Sequence, residues 1–245
     1  MTAKNWYSWL EATAVVGSLG FPSKMPGTSY GIPASKCGVG SKLRKVRGST
    51  CEKCYAFKGK YGTEGVAAAQ ERRLASLTDP RWAFAMASAL LLAHGQIADK
   101  PKGKRKGKRK GKRRVHHKIR AKGMRGAGWH RWHDAGDLQS LAHLCQIVVV
   151  AQLTPRIRHW LPTREAGIVA RFLAGGGVFP PNLCVRVSAA MIDGAPSSRF
   201  ANTSTVHARE SARGHACPAP TQGGVCGACR ACWSLEVANT SYHVH

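Results

Sequence analysis

The chain has 245 residues, 43% of them hydrophobic, and a formal net charge of +26 from 38 Lys and Arg against 12 Asp and Glu. That length and apolar share allow a buried core and exclude a chain disordered throughout. So large a basic excess points to a polyanionic partner, with nucleic acid the usual one.

The first residues mix aromatic and polar types without a secretory h-region, and the longest apolar run, residues 83–93, is too short to cross a bilayer. The expectation is a soluble protein of a reducing compartment. Residues 5–20 offer a short helix with Trp6, Trp9, Leu10 and Val15 on one face. Pro22, Pro26, Gly27 and Pro33 then mark loop, with one short strand near Tyr30. Residues 37–61, CGVGSKLRKVRGSTCEKCYAFKGKY, form a basic loop carrying Cys37, Cys51 and Cys54, and its glycines permit tight turns.

From Thr63 the apolar residues recur at helical spacing. Thr78-Asp79-Pro80 ends that helix and opens a second one, running to Gly95 and apolar enough to be buried. Residues 100–114 hold 11 Lys and Arg and no acid, a low-complexity stretch expected to be a disordered insert. Its Lys104, Arg105, Lys108, Arg109, Arg113 and Arg114 are candidate nucleic-acid contacts of the salt-sensitive, sequence-blind kind.

Residues 128–137, GWHRWHDAGD, read as a strand entering a turn, with His130 and Trp132 on one face and Trp129, Arg131 and His133 on the other. Helix 138–153, strand 157–162, helix 163–173, strand 183–188 and strand 204–208 follow. This order predicts parallel β/α units in one domain, a partial β/α barrel. Functional residues of such folds gather at the carboxyl ends of the strands. There stand His133, Asp134 and Asp137, then Thr163, Arg164 and Glu165, then Ser188, then Arg209 and Glu210.

Seven of the nine cysteines fall in two clusters, which argues for metal binding over a disulfide framework. In segment 211–235, Cys217, Cys226, Cys229 and Cys232 fall within sixteen residues, a set suited to tetrahedral zinc or an iron–sulfur cluster, with His215 a possible substitute ligand. The segment 28–61 offers three thiols. A [4Fe-4S] cluster on three thiolates leaves one iron open, as chemistry with S-adenosylmethionine (SAM) requires; a zinc site completed by a fourth ligand is the alternative. Cys145 and Cys184 lie in apolar surroundings and read as buried core thiols.

Taken together, CEKCYAFKGKY, RWHDAGDL, a strand ending LPTRE and the late CPAP…CGACRACW resemble the phage "gene product 88" family. That family is itself similar to phage proteins related to radical-SAM enzymes such as spore photoproduct lyase. The resemblance spans about residues 28–235 apart from the basic insert. It implies a phage origin, hence the cytoplasm of an infected bacterium, a partial β/α barrel, and an iron–sulfur cluster on Cys37, Cys51 and Cys54. The first gap, of thirteen residues, departs from the C-x3-C-x2-C spacing usual in radical-SAM enzymes.

Two functions follow as expectations. One is a radical-SAM-like iron–sulfur enzyme acting on nucleic acid or a nucleotide. In it Asp134, Asp137 and Glu165 are candidate catalytic carboxylates that orient SAM or substrate, and Arg131, Arg164 and Arg209 meet phosphate. The other is a non-enzymatic, zinc-stabilised nucleic-acid-binding protein.

Overall fold

The structure, a computed structural model, describes residues 6–99 and 128–244. Within them one sheet is built from β1 (Thr28–Tyr30), β2 (Gly128–Trp132), β3 (Ile157–Thr163), β4 (Leu183–Ile192), β5 (Thr203–His207), β6 (His215–Ala216) and β7 (Asn239–His243). The helices are α1 (Trp9–Val16), α2 (Gly38–Leu43), α3 (Glu64–Ser76), α4 (Trp82–Ala93), α5 (Leu141–Leu153) and α6 (Ala166–Ala174). The basic insert 100–114, with its six candidate contacts, lies outside the described residues.

The strand order is β1-β2-β3-β4-β5-β7-β6, and every neighbouring pair is parallel. From β1 to β5 each crossover steps in the same direction, the winding of a barrel rather than of a doubly wound sheet, whose order reverses. The two edge strands, β1 and β6, do not pair, so the sheet is open. The expected α/β class and parallel strands are therefore present, without closure.

One face of the sheet carries the main core. Trp132 on β2, Ile157 and Leu161 on β3, and Leu183, Val185 and Val187 on β4 pack against Val16, Met86, Leu90, Leu144, Ile147, Val150 and Val169 of the helices. Helix α4 is buried along almost its whole length, which its alanine- and leucine-rich sequence permits because no face needs water. Ser8 caps α1 in a reciprocal box with Glu11, and the Ser140 hydroxyl accepts the His143 N–H at the start of α5.

Register places the other face. Arg131 lies opposite Trp160, Trp160 opposite Cys184, and Val206 opposite Tyr242, so these side chains share one surface with Arg186, two residues beyond Cys184. The C-terminal cysteine segment covers it. Trp233 donates its indole N–H to the His130 carbonyl at 2.9 Å and meets the Trp129 and Trp160 rings edge-on at 5.6 and 5.2 Å.

Three sequence expectations need correction. Residues 38–43, read as loop, form α2. Strand β4 runs on past Ser188 to Ile192, and β6 and β7 were not foreseen at all. Cys145 is exposed, because it falls on the outer stripe of α5 opposite Leu144, Ile147 and Val148. Cys184 is buried as expected.

Candidate metal centre

The chain leaves β1 through Gly31-Ile32-Pro33 and a 3-10 turn, Ala34–Lys36, which delivers Cys37 to the N-cap position of α2. Beyond α2 the loop returns to the carboxyl end of β4. Ser49 bridges Met191 in antiparallel fashion, and the Thr50 N–H donates to the Ala190 carbonyl at 2.9 Å. Cys51 follows directly, and a turn closed by the Cys54 N–H on the Cys51 carbonyl, 3.2 Å, brings in the third thiol.

The Cys51 and Cys54 thiols lie near enough to Cys37 for their charges to act on it. A methyl group added at Gly40 would stand 3.0 Å from the Cys37 Cβ, 3.6 Å from the Cys37 sulfur and 3.7 Å from the Cys51 sulfur, so both thiols flank this glycine. Burial pushes the Cys37 thiol up to about 12, and the neighbouring Asp137, Cys54, Cys51 and Glu165 add to the effect. Burial likewise raises Cys51, against the pull of the Arg164 guanidinium. Thiols so placed stay protonated until a metal displaces the proton.

The carboxylates and arginines of the strand ends hold this loop in place. Glu165 accepts the Val39 N–H at 2.6 Å, gripping the first turn of α2 next to Cys37. Asp137 accepts from the Thr163 hydroxyl at 2.5 Å and from the N–H groups of Leu138 and Arg164, both at 2.8 Å. Its desolvation raises the carboxyl to about 6, the three hydrogen bonds working against that. The Arg164 guanidinium donates to the Thr50 hydroxyl at 2.8 Å, one residue from Cys51. Thus Asp137, Arg164 and Glu165 are gathered around the thiols, tied into the protein itself.

Asp134 differs. Its Oδ2 accepts from the Ser29 hydroxyl at 3.1 Å, while its buried Oδ1 has no hydrogen-bond partner among the described residues. Its carbonyl takes the hydroxyls of Tyr55, at 2.7 Å, and Tyr61, at 3.3 Å. Arg131 joins this corner by donating to the Tyr55 hydroxyl at 3.0 Å, stacked over Trp160. Its Nε has no partner among the described residues. Arg209 is exposed beyond β5, where its backbone N–H donates to the Asp193 carboxylate at 3.3 Å. Tyr55 and Tyr61 were not singled out from sequence. The Cys-Tyr-Ala run after Cys54 was the available signal.

The C-terminal thiols gather separately. Cys217 follows β6, with its N–H on the Ser241 carbonyl at 2.8 Å. The Cys229 sulfur lies 3.4 Å from His215 Nε2, and the Cys232 sulfur 3.2 Å from the Tyr242 hydroxyl. All nine cysteines are free thiols. Among the described residues, no three His, Cys, Asp or Glu side chains stand close enough to hold a single metal ion. A tetrahedral ion with zinc–sulfur bonds of about 2.3 Å needs its ligands drawn closer than either thiol group now stands.

Among the described residues, no helix is long and apolar enough to cross a membrane. A family model described as "Gene product 88" matches residues 11–235, seventeen residues further toward the N-terminus than the motifs alone reach. No curated protein and no solved structure matches the chain.

Proposed function

The chain belongs to the Gene product 88 family of phage proteins, and we propose that it is an iron–sulfur enzyme of the radical-SAM-like type, acting on nucleic acid or a nucleotide in the infected cell. The observation that carries this is the approach of Cys37 and Cys51 to Gly40, with Cys54 one turn beyond Cys51, at the carboxyl edge of a parallel sheet wound in one direction. The donor set, three thiols with Cys37 and Cys51 flanking Gly40, suits a [4Fe-4S] cluster. When bound, such a cluster with three protein ligands supplies one open iron for SAM and an electron to cleave it.

The protein's own residues have distinct tasks in this proposal. Glu165 and Asp137 position the Cys37 turn and the β3–α6 loop. Arg164 fixes the Cys51 approach through Thr50. The unpartnered Oδ1 of Asp134 is the carboxylate oxygen available to a ligand's amine or hydroxyl. Arg131, beside it, is suited to a carboxylate or phosphate. The basic excess of the chain draws the polyanion, with residues 100–114 the densest part of it.

A second reading is a zinc-stabilised nucleic-acid-binding protein without catalysis. It is favoured by the four-thiol C-terminal group, whose ligand number leaves no open position. Anaerobic purification followed by iron, sulfide and zinc analysis separates the two. Iron with acid-labile sulfide, lost in Cys51→Ser, supports the enzyme. Zinc at the N-terminal thiols supports the second reading.

A further inference from the structure

Four structural elements converge on the C-terminal thiols. Cys217 hangs from the end of β6 and is fixed to β7 through Ser241. The Cys226 N–H donates to the Lys24 carbonyl at 2.9 Å, and the Cys229 N–H closes a tight turn on the Cys226 carbonyl at 3.1 Å. Gly227, at φ +51°, supplies the left-handed residue in that turn. Cys232 sits in the 3-10 turn Ala231–Trp233, which β4 grips from below. The fully buried Arg186 donates to the carbonyls of Ala231, Cys232 and Ser234 at 2.8, 3.1 and 2.7 Å, and to that of Thr203 at 3.1 Å.

Arg131, Arg186 and Arg230 are the cations whose fields reach Cys226 or Cys232. Among the described residues none of the three is in an ion pair within 4 Å, although the Asp134 charge reaches Arg131. Among the described residues the pair within 4 Å is Arg81 with Asp79, elsewhere in the molecule. Arg186 and Arg230 instead spend their donors on backbone carbonyls, and Arg131 on Tyr55. The Arg186 and Arg230 charges, held on backbone carbonyls and not on carboxylates, suit another anion there, and four thiolates on one divalent ion carry net negative charge. His215 at the Cys229 sulfur and the Tyr242 hydroxyl at the Cys232 sulfur are the kind of outer contacts that orient sulfur ligands.

We propose that Cys217, Cys226, Cys229 and Cys232 bind one structural zinc ion, which clamps residues 217–234 onto the sheet face bearing Trp129, Trp160 and Arg186. The proposal is independent of what Cys37, Cys51 and Cys54 hold. Binding exchanges the thiol protons for one Zn²⁺, with His215 and Tyr242 remaining outside the ligand set. Because the thiols stand apart from single-ion spacing, zinc draws the Gly227 turn and the Cys217 strand end together. The clamp then fixes Trp233 against β2 and, through Arg131, stiffens the wall that also carries Tyr55.

The test uses the full-length protein, purified anaerobically and analysed for zinc, iron and sulfide. Its thiols are alkylated before and after chelation and located by mass spectrometry. One zinc per chain is expected, retained in Cys51→Ser/Cys54→Ser and lost in Cys226→Ser/Cys229→Ser. In the wild type, Cys217, Cys226, Cys229 and Cys232 are expected to resist alkylation together and to become reactive together on chelation, while the exposed Cys145 reacts throughout. The wild-type footprint keeps the test decisive where a cysteine variant fails to fold. Iron and sulfide lost with Cys226→Ser/Cys229→Ser, disulfides among the four cysteines, or reactivity indifferent to chelation would each overturn the proposal. Loss of iron from Cys51→Ser/Cys54→Ser is read separately and bears only on the N-terminal site.

Discussion

Glu165 and Asp137 sit at strand ends, as the β/α pattern placed them, yet their oxygens are occupied by the loop that presents the thiols. Removing the Glu165 carboxylate releases the Val39 N–H and loosens Cys37. Loss of an outer support of this kind weakens metal retention by roughly 10–100-fold. Glu165→Ala is therefore expected to shed metal from the N-terminal site with its circular dichroism unchanged; full retention after dialysis would deny Glu165 that role. Gly40→Ala tests the approach of Cys37 and Cys51 to this glycine directly. The added methyl would lie 3.0 Å from the Cys37 Cβ, so overpacking of about 1–3 kcal/mol is expected, together with poor loading.

Which residues would stand at the rim was legible from the sequence, because strand ends can be read from alternation and glycine punctuation. Their partners were not. The Glu165 to Val39 bond joins positions 126 apart, and no local pattern encodes it.

At the scale of elements, strands β1 to β5 were legible and the last two, β6 and β7, were not. Helices α3 to α6 carry long apolar periodicity, whereas β6 has two residues and β7 reads Asn-Thr-Ser-Tyr-His, too polar to announce a strand. Strand β6 is held by backbone pairing to β7, and β7 largely by side-chain hydrogen bonds. Asn239 donates to the Thr205 hydroxyl and the Arg213 carbonyl, and the Thr205 hydroxyl donates to Ser241. Arg186 plays the corresponding part for the C-terminal turn. Arg186→Met leaves several buried carbonyls unpaired and is expected to cost at least about 3 kcal/mol in urea unfolding. A loss below ~1 kcal/mol would mean that the turn finds other donors.

The core between β2, β3 and the helices holds a different liability. His94, His130, His133, His143 and His159 are all buried there. Burial holds His94 and His143 down at about 4 and His159 at about 3, and it depresses His130 and His133 well below their ordinary range. His130 and His94 share the Thr28 hydroxyl, and His159 meets Thr154; among the described residues no carboxylate is paired to any of these rings.

A folded state that keeps these rings neutral binds fewer protons than the unfolded chain below pH 6.5. Stability is then present at neutral pH and lost as pH falls toward 4. At pH 5 each such histidine costs about 2 kcal/mol relative to neutrality. Asp137 acts oppositely, since its raised carboxyl favours the folded state as pH drops from about 6 to about 4. Five rings outweigh one carboxyl, so urea midpoints are expected to fall steeply between pH 7 and pH 5. A flat profile would show that the rings are protonated in the folded state.

For the whole molecule, the sheet, its open edge and the two thiol groups form one body to which a large positive charge is attached. Residues 100–114 supply 11 of the basic side chains, so deleting them is expected to weaken DNA or RNA binding and flatten its salt dependence. Unchanged binding and slope would make the insert a bystander. Composition alone made this charge visible. It could not locate the surface that meets the polyanion, because that depends on where each side chain emerges from the fold.

The most direct measurement is the metal and sulfide content of the full-length protein purified without oxygen. Iron with acid-labile sulfide is predicted at the N-terminal site, lost in Cys51→Ser/Cys54→Ser and retained in Cys226→Ser/Cys229→Ser. Iron-free protein, or zinc bound by Cys37, Cys51 and Cys54, would contradict the iron–sulfur assignment.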